Sequence, residues 1–206
     1  SQTLRKDMTL SDFVIIKDRV FSEEFCDELV SLFEKYPEYT FEGHSGSGLN
    51  DHIKKTTDLN MIDIPHLMED YGYKVFEGFN TVVEELLDNL PFQPKFSAIE
   101  QVFTQGTNYT TCQLQKYDKG IGHYNAYHFE TDSYGTTPRL FVFILYLNDV
   151  EEGGETELMY ENKLVKPKKG RVICHPATFP FVHKGHMPLS SDKYILTTWL
   201  EYSEGG

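Results

Sequence analysis

Positive charge is what this 206-residue sequence lacks most: 19 lysines and arginines stand against 32 aspartates and glutamates, a formal net charge of −13. A chain that grips a phosphate backbone usually presents a basic face, and only the cluster from Lys163 to Arg171 offers one. That cluster follows an acidic stretch from Asp149 to Glu161 and reads as a solvated hairpin edge, so nucleic acid is not an expected partner. No apolar run approaches the length that spans a bilayer, and the N-terminus has no signal-peptide hydrophobic segment, so no membrane is expected either. Ser1 in place of methionine and the Glu-Gly-Gly ending leave open a trimmed targeting segment. Cysteine is equally sparse. Cys26, Cys112 and Cys174 cannot all pair within the chain, form no C-x-x-C motif and each sit in an apolar pattern. Buried free thiols in a reducing, cytoplasmic compartment are the expectation. No H-E-x-x-H helix and no internal repeat are present.

What is there suits one globular core: 39% hydrophobic residues, 14% of the chain aromatic. The expected organisation is a single domain over 1–206, with helical support over about 1–94 and a barrel core over about 95–203. Ser22 can cap a helix in which Phe25, Cys26, Leu29, Val30 and Phe33 recur at helical spacing, ending before Pro37. A second helical region runs from Pro65 to Leu90 with Val75, Phe79, Val82, Val83, Leu86 and Leu87 on its apolar side; Gly72 and Gly78 leave its continuity open. Beyond Phe96 the pattern shortens into strands at Thr111–Tyr117, Arg139–Leu147, Thr156–Tyr160, Arg171–His175 and Lys193–Tyr202. Strands after a helical block predict an α+β fold: a double-stranded β-helix, jelly-roll or cupin-like, backed by N-terminal helices. Leu140 to Leu147 is apolar at nearly every position, which places that strand between barrel interior and helices.

The chemistry-bearing residues are His128-x-Glu130 and His183. Alternate residues of a strand project to one side, so His128 and Glu130 point together while Phe129 turns away. Phe179, Phe181 and His183 share parity, placing the second histidine on an otherwise aromatic strand. Two imidazoles and one carboxylate form the facial donor set of a non-haem Fe(II) oxygenase, with positions left open for dioxygen and a co-substrate. Zinc accepts the same donors. His123, His175 and His186 compete for the histidine positions, and Asp132 for the carboxylate.

Lys193, ten residues beyond His183, makes iron the preferred metal. Lys193, Ile195, Thr197 and Trp199 share one face of their strand, and Tyr194, Leu196, Thr198 and Leu200 the other. The first set suits a pocket for a small dicarboxylate, because a buried ammonium needs an anion. Thr111, Gln113, Gln115 and Tyr117 form a second polar face on the cavity side, where the Tyr117 phenol can hydrogen-bond the ligand. The loops Gly43 to Thr57 and Gln105 to Tyr109 are expected to set substrate choice.

In order and spacing these fragments resemble the prolyl 4-hydroxylase branch of the 2-oxoglutarate/Fe(II) dioxygenases. The pieces are Tyr117-x-x-Gly120, His128-x-Glu130, Arg139 ahead of Ile144 to Val150, Gly153-Gly154-Glu155-Thr156, Val165-x-Pro167-x-x-Gly170, His183-x-Gly185, Lys193 and Trp199. The resemblance implies iron held by His128, Glu130 and His183, and 2-oxoglutarate held by Lys193. Tyr117, Thr156 and Trp199 match positions lining that pocket, and Arg139 one implicated in substrate contact. It further implies O2 as co-substrate, ascorbate as reductant, and hydroxylation of peptidyl proline with release of succinate and CO2. A free amino acid or small metabolite, or a non-catalytic ligand-binding jelly roll, are the alternative readings; oligomeric state is left open. The chain departs from the family in carrying glutamate where aspartate is usual, and in a longer step from Tyr117 to His128.

Overall fold

The computed structural model describes residues 7–46, 48–90 and 98–204, with the side chains of residues 98–100 left aside. Two antiparallel sheets face each other, which is the jelly-roll arrangement. The larger runs β1(Ile15–Lys17), β11(Val172–Pro176), β8(Arg139–Tyr146), β13(Lys193–Tyr202), β6(Gln113–Tyr117), β4(Thr57–Asn60), β2(Phe41–Glu42), with β5(Thr107–Tyr109) also pairing β13. The smaller runs β10(Lys163–Val165), β9(Thr156–Leu158), β12(His183–Gly185), β7(His123–His128), β3(Lys54–Lys55).

Helices cover the outer face of the larger sheet. α1(Glu23–Lys35) begins at Ser22, whose hydroxyl accepts the Phe25 N–H at 3.1 Å, and buries Cys26, Leu29, Leu32 and Phe33. α2(Pro65–Leu67) runs through a π-helical turn, Met68–Gly72, into α3(Tyr73–Asn89), so the expected helix does continue past both glycines. Gly78 is the closer fit of the two: a Cβ there would lie 2.3 Å from the Phe21 ring.

Strand β8 separates the two interiors by alternation. Phe141, Phe143 and Leu145 join α1 and α3 in the helix-side core, with Phe79 and Phe143 stacked at 4.6 Å. Ile144 and Tyr146 point the other way, into the core between the sheets with Tyr117 and Ile195. β13 obeys the same rule: Leu196 and Leu200 pack under the helices, and Tyr194 meets Phe33 edge-on.

The expected division near residue 94 is corrected in both directions. β1 to β4 come from the first part and extend both sheets, whereas α4(Ala98–Gln105) is a helix inside the part read as strands. The early strands span only two to four residues, too few for alternation to register. The loop expected at Gln105–Tyr109 is largely β5, whose Tyr109 stacks on Phe76 at 4.6 Å on the helix side, away from the cavity.

All three cysteines are free and buried. Burial pushes the thiols of Cys26 and Cys112 up to about 11 and 12, and raises Cys174 as well. The native protein at pH 8 should therefore leave Ellman's reagent almost unreacted, while denaturant releases all three thiols; rapid native labelling would contradict this packing.

Candidate metal and co-substrate site

The cavity between the sheets has a volume of about 430 Å³. Cross-strand register assembles its walls. On the smaller sheet His183 lies directly opposite His128, and the next row is Thr156, Gly185, Tyr124 and Lys54. On the larger sheet Lys193 lies opposite Tyr117. The face Lys193, Ile195, Thr197, Trp199 lines the cavity as parity requires.

His128, Glu130 and His183 place ligand atoms within 4.8 Å of one another, and among the described residues this is the group that could hold a metal ion. His183 Nε2 stands 2.9 Å and His128 Nε2 3.6 Å from Glu130 Oε1. The local reason differs from the sequence expectation. β7 ends at His128, so Glu130 lies beyond the strand, its N–H donating to the Ala177 carbonyl at 2.8 Å. β12 likewise begins at His183; Phe179 is 59% exposed rather than part of an inward aromatic strand. Convergence comes from register and loop anchoring, not from continuous alternation.

The hydrogen bonds test whether a cation fits. His128 Nδ1 sits 2.9 Å from the Ala126 carbonyl and His183 Nδ1 3.3 Å from the Phe181 carbonyl. A carbonyl only accepts, so each Nδ1 carries a hydrogen, which leaves Nε2 as the nitrogen each ring turns inward to a ligand. Both Nε2 atoms face one carboxylate oxygen, an arrangement that calls for positive charge between them, as a metal cation would supply. Burial pushes the Glu130 carboxyl up, but protons on the facing His128 and His183 nitrogens, by hydrogen bonding and charge, outweigh it and hold it well below the usual carboxylate range, the position a bound cation would take over from those protons.

The competing residues fall outside this cluster. Asp132 lines the cavity mouth and takes a 3.5 Å hydrogen bond from Thr136. His186 pairs with Glu157 at 3.2 Å. His123 is buried in β7 and joins no such cluster among the described residues. His175 is buried against the His183 ring at 4.7 Å, its Nδ1 directed at the Pro176 carbonyl. Burial, then the His183 charge, push its pKa down to about 3.

Lys193 is 2% exposed, and its Nζ donates to the Gly154 carbonyl at 3.0 Å above the Tyr117 ring. Gly154 adopts φ +74°, a left-handed conformation that favours glycine. Burial pushes the lysine down to about 7, with the Glu155 charge pulling it back up. Among the described residues no carboxylate pairs with it. A Cβ on Gly185 would lie 3.7 Å from Lys193 Nζ and 3.8 Å from the Tyr117 oxygen, so that glycine keeps open the space facing both. Burial raises the Tyr117 phenol well above its ordinary value, leaving it a hydrogen-bond donor. Thr156 reaches the same space with its hydroxyl bonded to Tyr146.

The sequence reading missed Lys54 and Asp58. Lys54 projects from β3 into the cavity and meets fully buried Asp58 at 3.4 Å. Asp58 also accepts from Thr56, Gln113 and Gln115 at 2.8, 2.7 and 3.1 Å. The second buried lysine of the cavity is thus neutralised internally, which leaves Lys193 as the one able to take an anion. His44, Ser45 and Gly46 of the Gly43–Thr57 segment line the cavity.

Residues 112–201 match the family described as the 2OG-Fe(II) oxygenase superfamily. Among curated proteins the chain is 32% identical over 110 residues to Probable prolyl 4-hydroxylase 9 of Arabidopsis thaliana (42% of this chain, 36% of the relative). It is 31% identical over 110 residues to Prolyl 4-hydroxylase 13 of the same plant (42% and 38%). The matches thus span little more than a third of either relative. Among solved structures, a Pseudomonas putida prolyl-4-hydroxylase superposes with TM-score 0.64 at 15% identity, covering 93% of both chains. A Trichoplax adhaerens prolyl hydroxylase in complex with a hypoxia inducible factor oxygen degradation domain peptide fragment gives 0.65 at 16%, covering 93% of this chain and 84% of that one. These identities speak to the jelly-roll fold alone.

Proposed function

We propose that this chain, whose residues 112–201 match the 2OG-Fe(II) oxygenase superfamily, hydroxylates a peptidyl proline with Fe(II), 2-oxoglutarate and O2, releasing succinate and CO2. The observation that carries the reading is one cavity holding both a His-Glu-His donor set and a buried lysine with no anion of its own.

His128, Glu130 and His183 would hold the iron, which when bound supplies the redox chemistry that activates dioxygen. Lys193 supplies the charge-assisted hydrogen bond that selects the distal carboxylate of the co-substrate, and Tyr117 donates beside it. Thr156 completes that polar end, while Ile144 and Ile195 line the cavity alongside and limit water. The open mouth between the His44–Gly46 loop and the Asp132–Thr136 segment admits the substrate. A peptide is favoured over a small metabolite because a structural neighbour carries a peptide fragment. Ascorbate serves as reductant, and three buried free thiols support a reducing compartment.

Succinate release from 2-oxoglutarate should require Fe(II), rise with ascorbate and be stimulated by a proline-containing peptide that gains one oxygen, ~16 Da. Turnover stimulated only by a free amino acid would replace the peptide by a metabolite. Stoichiometric zinc with no 2-oxoglutarate consumption would remove the oxygenase reading.

A further inference from the structure

Glu130 uses its two carboxylate oxygens differently. Oε1 faces the two imidazoles. Oε2 turns to the larger sheet, where Trp199 Nε1 lies 3.3 Å and Arg139 Nη1 3.5 Å away. The same Nη1 donates to the Glu130 backbone carbonyl at 3.1 Å, so one guanidinium grips main chain and side chain together. The guanidinium carbon stacks 3.9 Å over the Trp199 ring, and Arg139 Nε lies 3.7 Å from Glu201 Oε1. Glu201 opposes Arg139 in the β13–β8 register.

We propose that Arg139 and Trp199 are positioning residues which hold Oε2 of Glu130, so that Oε1 alone is offered to the metal. The proposal rests on the Fe(II)/2-oxoglutarate reading of the site. A carboxylate can bind a cation through one oxygen or two. A facial triad leaves three positions open, and a 2-oxoacid chelate with dioxygen needs all of them. Glutamate, with one more methylene than the family's usual aspartate, can swing its second oxygen onto the ion. Here that oxygen takes a hydrogen bond from Trp199 and an ion pair from Arg139, mounted on β13 and β8 in the middle of the larger sheet. The same clamp takes up the extra length, because Glu130 stands beyond the end of β7 and its backbone is fixed at both N–H and carbonyl. Arg139, which the family resemblance pointed towards substrate, is therefore assigned to the carboxylate.

The test uses the full chain, anaerobically and with no substrate present. Co(II) is added to the metal-free protein and its visible spectrum recorded; 2-oxoglutarate is then titrated against the charge-transfer band of the Fe(II) complex. Arg139→Gln and Trp199→Phe should each alter the Co(II) spectrum, and Arg139→Gln should weaken 2-oxoglutarate binding about tenfold or more. Arg139→Lys keeps a charge but not the forked donor and should fall between. Wild-type spectra and titrations in all three variants overturn the proposal, and if a separate aerobic assay of those variants then shows a raised KM for peptide alone, Arg139 goes to the substrate. If Arg139→Gln fails to fold by circular dichroism, Trp199→Phe, which deletes only the indole donor, decides through the Co(II) spectrum. A wild-type protein that binds Co(II) but never 2-oxoglutarate would instead remove the underlying reading.

Discussion

Lys193→Met should raise the 2-oxoglutarate concentration needed for half-maximal turnover by about a hundredfold or more, yet melt no lower than the wild type. The first effect follows from deleting the buried cation on which a ligand carboxylate would close; breaking such a pair costs roughly 2–5 kcal/mol. The second follows from burying an ammonium with no carboxylate of the described residues beside it. Lys193 has lost its water, and its neighbours are a carbonyl and a phenol ring rather than a carboxylate. Its pKa falls from 10.5 to about 7 through burial, against the pull of Glu155. A lysine that protonates less readily folded than unfolded subtracts stability. The subtraction is complete below about pH 7 and fades as pH rises toward 10.5. Methionine, of similar length and without charge, removes a penalty on the order of a few kcal/mol at neutral pH. The melting-temperature gain of the variant should therefore be largest near pH 7 and shrink by pH 10. A lysine that merely braced the fold would show the reverse: lower stability at every pH and an unchanged 2-oxoglutarate requirement.

The same linkage makes co-substrate binding take up protons. A bound carboxylate restores the ammonium, so at pH 8 the wild type should absorb close to one proton per ligand. Calorimetry in two buffers of different ionisation enthalpy reads this directly. Lys193→Met should lose the uptake.

The faces of β13 were legible because ten alternating residues carry a two-sided pattern that no helix would give: ammonium, hydroxyl and indole on one side, apolar residues on the other. β8 was legible for the opposite reason, since an uninterrupted apolar run means cover on both faces. The donor set could be named but not placed. His128 and His183 meet through register, which no local pattern encodes, and both Glu130 and Phe179 lie outside the strands that parity presumed. Lys54 is the clearest loss. It belongs to a two-residue strand, and its partner Asp58 sits in another of four, so nothing in either segment shows that they close the same cavity. Arg139 was visible as a charge ahead of an apolar strand, but its grip on Glu130 depends on a loop whose path only the fold defines.

His183→Ala should abolish metal-dependent turnover, a fall of about a thousandfold or more, since one lost ligand removes several kcal/mol of metal contribution. The neighbouring His175→Asn should not, although the two rings lie 4.7 Å apart and both are buried. The difference is where each imidazole points its lone pair. His183 spends Nδ1 on the Phe181 carbonyl and turns Nε2 to Glu130 at 2.9 Å. His175 spends Nδ1 on the Pro176 carbonyl, and its buried Nε2 has no hydrogen-bond partner among the described residues. With its pKa held at about 3 by burial, His175 stays a neutral packing ring across the working pH range. Its replacement should lower the melting temperature while leaving about one equivalent of Fe(II) or Co(II) bound. Equal metal loss in the two variants would make His175 part of the donor set, and full turnover by His183→Ala would dissolve the set altogether.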